Sequence, residues 1–222
     1  MRKLFFLYAF LLVALSSIGQ NVNIPDNQFK KALLSSNCID SDGDGKPDSD
    51  VDINNDNKIQ INEIKNIEFL NVSFKDITSL EGIQEFENLK KLYCHDNQLK
   101  NLDVSKNKNL EVLYCYDNQI THLNLKKNKN LKKLGVRDNK LTKLDLSKNK
   151  KLEVLYCYKN LLTSLNIKNG NNVNMGSMWS YDNPNLTSIK VDNENNTYPI
   201  CDKSNYKGWC KDPNTSYNNK TK

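Results

Sequence analysis

The chain of 222 residues contains only 8 glycines, 5 prolines, 2 histidines and 2 tryptophans. It has no glycine-rich phosphate loop, and neither a G-x-S-x-G nor an H-E-x-x-H motif occurs. Its histidines, His95 and His122, fall in opposite halves of the repeat described below and face different ways, so they do not form one catalytic centre. An excess of one charge is also missing. The 32 basic and 26 acidic residues leave a formal +6, spread evenly, which gives no argument for a nucleic-acid partner. Beyond Leu15 no apolar run approaches the roughly 20 residues of a membrane helix. Hydrophobic residues make up 37%, low for one compact globule, while the near-balanced charge excludes a disordered acidic tail.

What the chain has in excess is asparagine, 36 residues of it. Such a bias points to a repeat that needs this side chain. At the N-terminus, Arg2 and Lys3 precede the apolar run Leu4 to Leu15, followed by Ser17 and Gly19 at the −3 and −1 positions of a cleavage site. This pattern predicts a secretory signal over 1–19 and export to the periplasm, the cell surface or the medium. Export permits disulfides. Cys201 and Cys210 bracket a short aromatic loop and are the expected pair, Cys38 is left over, and Cys94, Cys115 and Cys157 share one position of the repeat.

That repeat has a period of 21. Leu89, Leu110, Leu131 and Leu152 share a position, as do Leu92, Leu113, Leu134 and Leu155. Cys94, Cys115, Val136 and Cys157 follow, and Asn97, Asn118, Asn139 and Asn160 close each unit. An opening copy of 22 residues runs through Leu70, Ile77, Leu80, Ile83, Phe86 and Leu89, and a looser last copy ends at Asn183. L-x-x-L-x-C turns alternate side chains inward on a short strand. One copy cannot bury its own apolar edge; stacked copies can. The fixed Asn turns the chain and can bond the free backbone groups of the turn.

On these residues the chain resembles bacterial leucine-rich-repeat proteins. The segment from Ile77 to Leu89 is similar to the internalin type. Leu102-Asp-Val104-Ser-Lys-Asn107 and Leu144-Asp-Leu146-Ser-Lys-Asn149 resemble a nested variant whose second half imitates the first. The resemblance covers about 67–192. It implies an α/β-solenoid, mostly β, with a parallel concave sheet and short strands on the other side.

Before the repeat, Ile24 to Leu34 reads as a short amphipathic helix opened by Pro25, with Asp26 near its start. Asp52, Asn54, Asp56, the Lys58 carbonyl, Gln60 and Glu63 then fall at positions 1, 3, 5, 7, 9 and 12 of a calcium loop. This stretch resembles an EF-hand, with Asn57 where glycine is expected. Upstream, Asp40, Asp42, Asp44 and Gly45 resemble half of such a loop or a thrombospondin type 3 repeat. Its twelfth position is Val51, so Asp48 or Asp50 would have to close it. A structural Ca2+ in a cap over 20–66 is the expectation. The repeats are expected over 67–196. The tail over 197–222 leaves the pattern, its Tyr198, Ile200, Tyr206, Trp209 and Tyr217 covering the last coil and its end fraying after Tyr217.

Residues beside the inward ones form outward columns. One holds Tyr93, Tyr114, Gly135, Tyr156 and Trp179, with a gap at Gly135; the next holds His95, Tyr116, Arg137, Tyr158 and Tyr181; a third holds Asp96, Asp117, Asp138, Lys159 and Asp182. Exposed rings give large contact area at small entropy cost. These columns predict a binding face for a protein ligand, with a glycan as the alternative and a purely structural display role as the third reading. Asp103, Asn124, Asp145, Lys106, Lys127 and Lys148 on the other half read as a solvated face. No enzyme is expected, and a monomer is.

Overall fold

The computed structural model describes residues 19–195 and 198–220. The expected signal segment lies outside the described residues except for Gly19. The chain winds as a solenoid with two parallel sheets. The front sheet contains β1 (Phe69–Asn71), β2 (Lys91–Tyr93), β3 (Val112–Tyr114), β4 (Lys133–Gly135), β6 (Val154–Tyr156), β8 (Ser177–Trp179) and β10 (Gly208–Cys210). The back sheet contains β5 (Lys143–Asp145), β7 (Ser164–Asn166), β9 (Ser188–Lys190) and β11 (Ser216–Asn218). Each strand is three residues long with one central side chain turned inward, as in Lys-Leu-Tyr or Val-Leu-Tyr. Partners match copy for copy: Leu92 opposes Leu113, which opposes Leu134, which opposes Leu155.

The inward ladder is the core. Leu89, Leu110, Leu131, Leu152, Cys94, Cys115, Val136 and Cys157 are fully buried. Fully burying one such leucine stabilises by about 1.5–3 kcal/mol. The four thiols Cys38, Cys94, Cys115 and Cys157 are free and buried. Burial and the Asp50 charge push Cys38 up to about 12. A hydrogen bond with Cys115, together with burial, pushes Cys94 up, and burial does the same to Cys157. These are packing groups, not nucleophiles.

Two asparagine spines replace conventional turns. Asn160 Nδ2 donates to the carbonyls of Val136, Cys157 and Tyr158, and its Oδ1 accepts from Leu141 N–H. Asn118, Asn139 and Asn183 repeat this set one copy at a time. On the opposite edge Asn128 Nδ2 donates to the Asn107 carbonyl at 2.9 Å, and Asn149 Nδ2 to the Asn128 carbonyl at 2.8 Å.

The cap closes the first edge. Helix α1 (Asn27–Ser35) buries Phe29, Ala32 and Leu33. Asp26, at its start as expected, is its N-cap, and the helix opens after it rather than at Pro25: Oδ1 accepts from Gln28 and Phe29 N–H. Oδ2 accepts from Thr78 and Ser79 N–H and from the Thr78 hydroxyl, tying the helix to the first repeat turn. The Cys38 carbonyl takes the Asn71 N–H at 2.7 Å, so β1 has no open edge there. Gly82 sits at φ 102°, where an added Cβ would stand 2.8 Å from the Asn23 carbonyl. Only glycine lets the N-terminal arm cross the first repeat so closely.

The tail differs from its expected form. It does not leave the repeat pattern: β10 and β11 pair with β8 and β9 and add another coil. Pairing runs to Asn218, and Asn219 N–H donates to Glu194, so the chain is held beyond Tyr217. Tyr198, Trp209 and Tyr217 cover the end, with Tyr198 and Trp209 stacked at 3.9 Å. Ile200, expected to help, is 89% exposed.

Candidate functional site

The front face carries two lines of rings. In the second column His95 stacks on Tyr116 at 4.2 Å, and Phe74 meets His95 edge-on at 5.1 Å. The Arg137 guanidinium lies 4.1 Å from the Tyr116 centroid and 5.9 Å from that of Tyr158. Tyr158 stacks on Tyr181 at 4.7 Å, and Lys203 Nζ sits 4.3 Å over Tyr181. The column is therefore continuous, with Arg137 as the bridge between its halves. Arg137 is itself held by Asp117 at 2.6 Å and Asp138 at 2.8 Å. Asp96, Asp117, Asp138, Lys159 and Asp182 all take φ between 50 and 55°, so the third column is the left-handed turn residue of each copy. The aspartate that precedes the turn Asn in four of these five copies was the available signal, with Lys159 the exception.

In the first column Tyr93 stacks on Tyr114 at 5.0 Å. The expected gap at Gly135 is filled. The Tyr114 ring leans over it, and a Cβ there would lie 3.0 Å from Tyr114 Cδ1. Trp179, expected to be exposed, is buried at 3%. The disulfide Cys201–Cys210 closes a loop that lays Tyr206 over it, the rings 5.0 Å apart and nearly parallel. The Tyr206 carbonyl takes the Ser177 hydroxyl at 3.0 Å. The Trp179 indole N–H has no acceptor under this cover. Burial pushes the Tyr93, Tyr114, Tyr116 and Tyr181 phenols up, and Tyr158 to about 12. They stay neutral donors at physiological pH.

The two acidic segments of the cap share one conformation. Gly45 N–H donates to Asp40 Oδ2 at 2.9 Å, and Asn57 N–H to Asp52 Oδ2 at 2.8 Å. Asp44 N–H bonds Asp42, and Asp56 N–H bonds Asn54, both at 3.0 Å. Lys46 N–H bonds Asp44, and Lys58 N–H bonds Asp56. Asn57 takes φ 61°, the left-handed turn for which the motif reserves glycine. Glu63 accepts from Asn54 and Gln60 N–H, and α2 (Ile61–Ile64) follows. Asp40, Asp42 and Asp44 hold oxygens within 4.8 Å of one another, and no other acidic trio does so among the described residues. Asp48 does not join them. Both its oxygens accept from Ser41, which holds its carboxyl below the usual range.

A leucine-rich-repeat family model, two copies long, matches residues 87–127. The functional domain of InlJ from Listeria monocytogenes, described as including a cysteine ladder, is 26% identical with a TM-score of 0.59. The fold is a leucine-rich-repeat solenoid. The match covers 78% of this chain and 38% of the InlJ chain, so the solenoid here spans well under half the length of that relative. A leucine-rich-repeat protein of Leptospira interrogans is 26% identical over 59% of this chain and 38% of its own, with a TM-score of 0.47. No curated protein matches the sequence. Among the described residues no helix is long and apolar enough to cross a membrane. His95 Nδ1 lies 2.8 Å from Asp96 Oδ2 on the front face, and His122 Nδ1 lies 3.0 Å from the Thr121 hydroxyl on the other half.

Proposed function

We propose that the chain is an exported binding module whose front face recognises a protein partner. The observation that carries this reading is the ring column Phe74–His95–Tyr116–Arg137–Tyr158–Tyr181. In it His95 and Tyr116 are stacked, Tyr158 and Tyr181 are stacked, and Arg137 covers Tyr116, so most ring faces are spent on one another. A sugar stacks on ring faces, whereas a protein surface uses edges and donors. The packing therefore favours a protein ligand over the glycan alternative. Tyr93, Tyr114 and Tyr156 extend the same surface, and Trp179 contributes only where the 201–210 loop is displaced.

The layout proposed is a signal over 1–19, a cap over 20–66, repeats over 67–196 and a closing segment over 197–222 whose strands β10 and β11 add the last coil. Calcium in the cap is part of the proposal. Asp40, Asp42 and Asp44 would hold one ion; Asp52, Asn54, Asp56, the Lys58 carbonyl and Glu63 would hold another. Three carboxylates crowded together repel unless a cation joins them, and among the described residues the one ion pair they make is Lys46 with Asp44, at 4.0 Å. A pull-down with the 20–222 protein in calcium, set beside a glycan array, tests the reading. Capture of a protein that Tyr116→Ala fails to capture supports it. Binding confined to glycans overturns it.

A further inference from the structure

On the edge where each copy crosses from its back half to its front strand, the buried Asn107, Asn128 and Asn149 are each flanked by two lysines: Lys106 and Lys108, Lys127 and Lys129, Lys148 and Lys150. All six are exposed. Several cations elsewhere find partners: Lys90 with Glu68, Lys132 with Glu111, Lys126 with Asp145, Lys159 with Asp138, Arg137 with two aspartates. Lys151 bonds Asn130 and Lys168 bonds the Asn219 carbonyl. None of the six has an ion-pair or hydrogen-bond partner for its ammonium group among the described residues. The asparagine spine fixes them in register, copies succeeding one another at about 4.8 Å. Like charges stacked this way repel and add nothing to the core.

We propose that this lysine ridge is a second interaction surface, for a linear acidic polysaccharide lying along the solenoid axis. A chain with a carboxylate or sulfate on successive sugars presents anions at short, regular intervals, as the ridge presents cations. A single-stranded nucleic acid would want aromatic platforms between the charges, and the six positions hold lysine alone while the ring columns stand on the front strands. The lysine stems remain free to follow the polymer, so the attraction is electrostatic and salt-sensitive.

Dextran sulfate and hyaluronate are the probes, with neutral dextran and oligothymidylate as comparisons, by titration at low and raised salt. Wild type is expected to bind both acidic sugars, to ignore neutral dextran, and to weaken about tenfold or more as salt rises. Lys127→Gln with Lys148→Gln should lose about tenfold, while the equal charge change Lys30→Gln with Lys31→Gln on the cap should lose less than about twofold. Tyr116→Ala should leave this binding unchanged, which separates the ridge from the front-face reading. Equal losses in the two double variants overturn the ridge, as does no binding by wild type. Tighter binding of oligothymidylate than of dextran sulfate overturns the ligand class.

Discussion

Asn160 accepts one hydrogen bond inside the stack and shares the two hydrogens of its Nδ2 among three carbonyls, from a residue 3% exposed. Asn149, on the other spine, gives two and leaves its Oδ1 without a partner. Orphaning a buried backbone group costs about 1–3 kcal/mol. Asn160→Ala should therefore destabilise by about 2–4 kcal/mol, and Asn149→Ala by less. Urea unfolding of the two variants checks the order; a reversed order refutes this account of the spines. Asp26 gives a pH signature. Burial pushes its carboxyl up, but hydrogen bonds from Thr78, Phe29 and Ser79 outweigh that and hold it below 3.8. A carboxyl lowered in the folded state stabilises fully above its unfolded value and loses that contribution as the pH falls through the folded value. Asp26→Ala should cost about 1–2 kcal/mol near neutrality, as lost N-caps do, and the gap from wild type should close below about pH 3.8. A gap that stays constant down to pH 2 would show that the charge of Asp26 is not involved.

At the scale of elements, the acidic loops and the C-terminal loop behave differently from the repeats. A ligand bound only by the native state stabilises by RT ln(1 + [L]/Kd). With an extracellular-type Kd of about 10⁻⁴–10⁻³ M, roughly 10 mM calcium should add about 1.4–2.7 kcal/mol. Melting in calcium and in chelator measures this, and Asp52→Ala with Glu63→Ala should remove most of the difference. Identical melting with and without calcium removes the ion from the cap. The repeat register, the inward ladder and the outward columns were legible because one spacing of 21 states them over and over. The last coil was not. Cys210 pairs with Trp179 across 31 residues, so the insertion between them hides β10 from any periodic reading. The burial of Trp179 under Tyr206 was hidden for the same reason, since it depends on where a disulfide loop folds back. Gly135 misled in another way. A missing side chain reads as a gap in sequence, but in the packed face it is the space a neighbouring tyrosine takes.

For the whole molecule, the solenoid separates what holds it from what it presents. Stability comes from nearest-neighbour stacking of copies, carried by inward leucines and the asparagine spines. The front rings half-cover one another without entering that ladder, so they can change without unwinding it. If they are the ligand surface, binding energy should concentrate in a few central, desolvated groups. Tyr116 and Arg137 stand at the middle of the column, with the guanidinium against the ring and two aspartates fixing it. Tyr116→Ala should weaken capture of a partner from the pull-down by about 1–3 kcal/mol, roughly 5- to 150-fold. Arg137→Ala should do the same and also loosen Tyr116 and Tyr158. Asp103→Ala, on the other half, should change binding by less than about twofold. The melting temperature of Tyr116→Ala should stay close to wild type, since its ring lies outside the core. Isothermal titration of the three variants decides the matter. Lost binding in Asp103→Ala with binding kept in Tyr116→Ala would make the tyrosines scaffold and put the recognition surface on the opposite face.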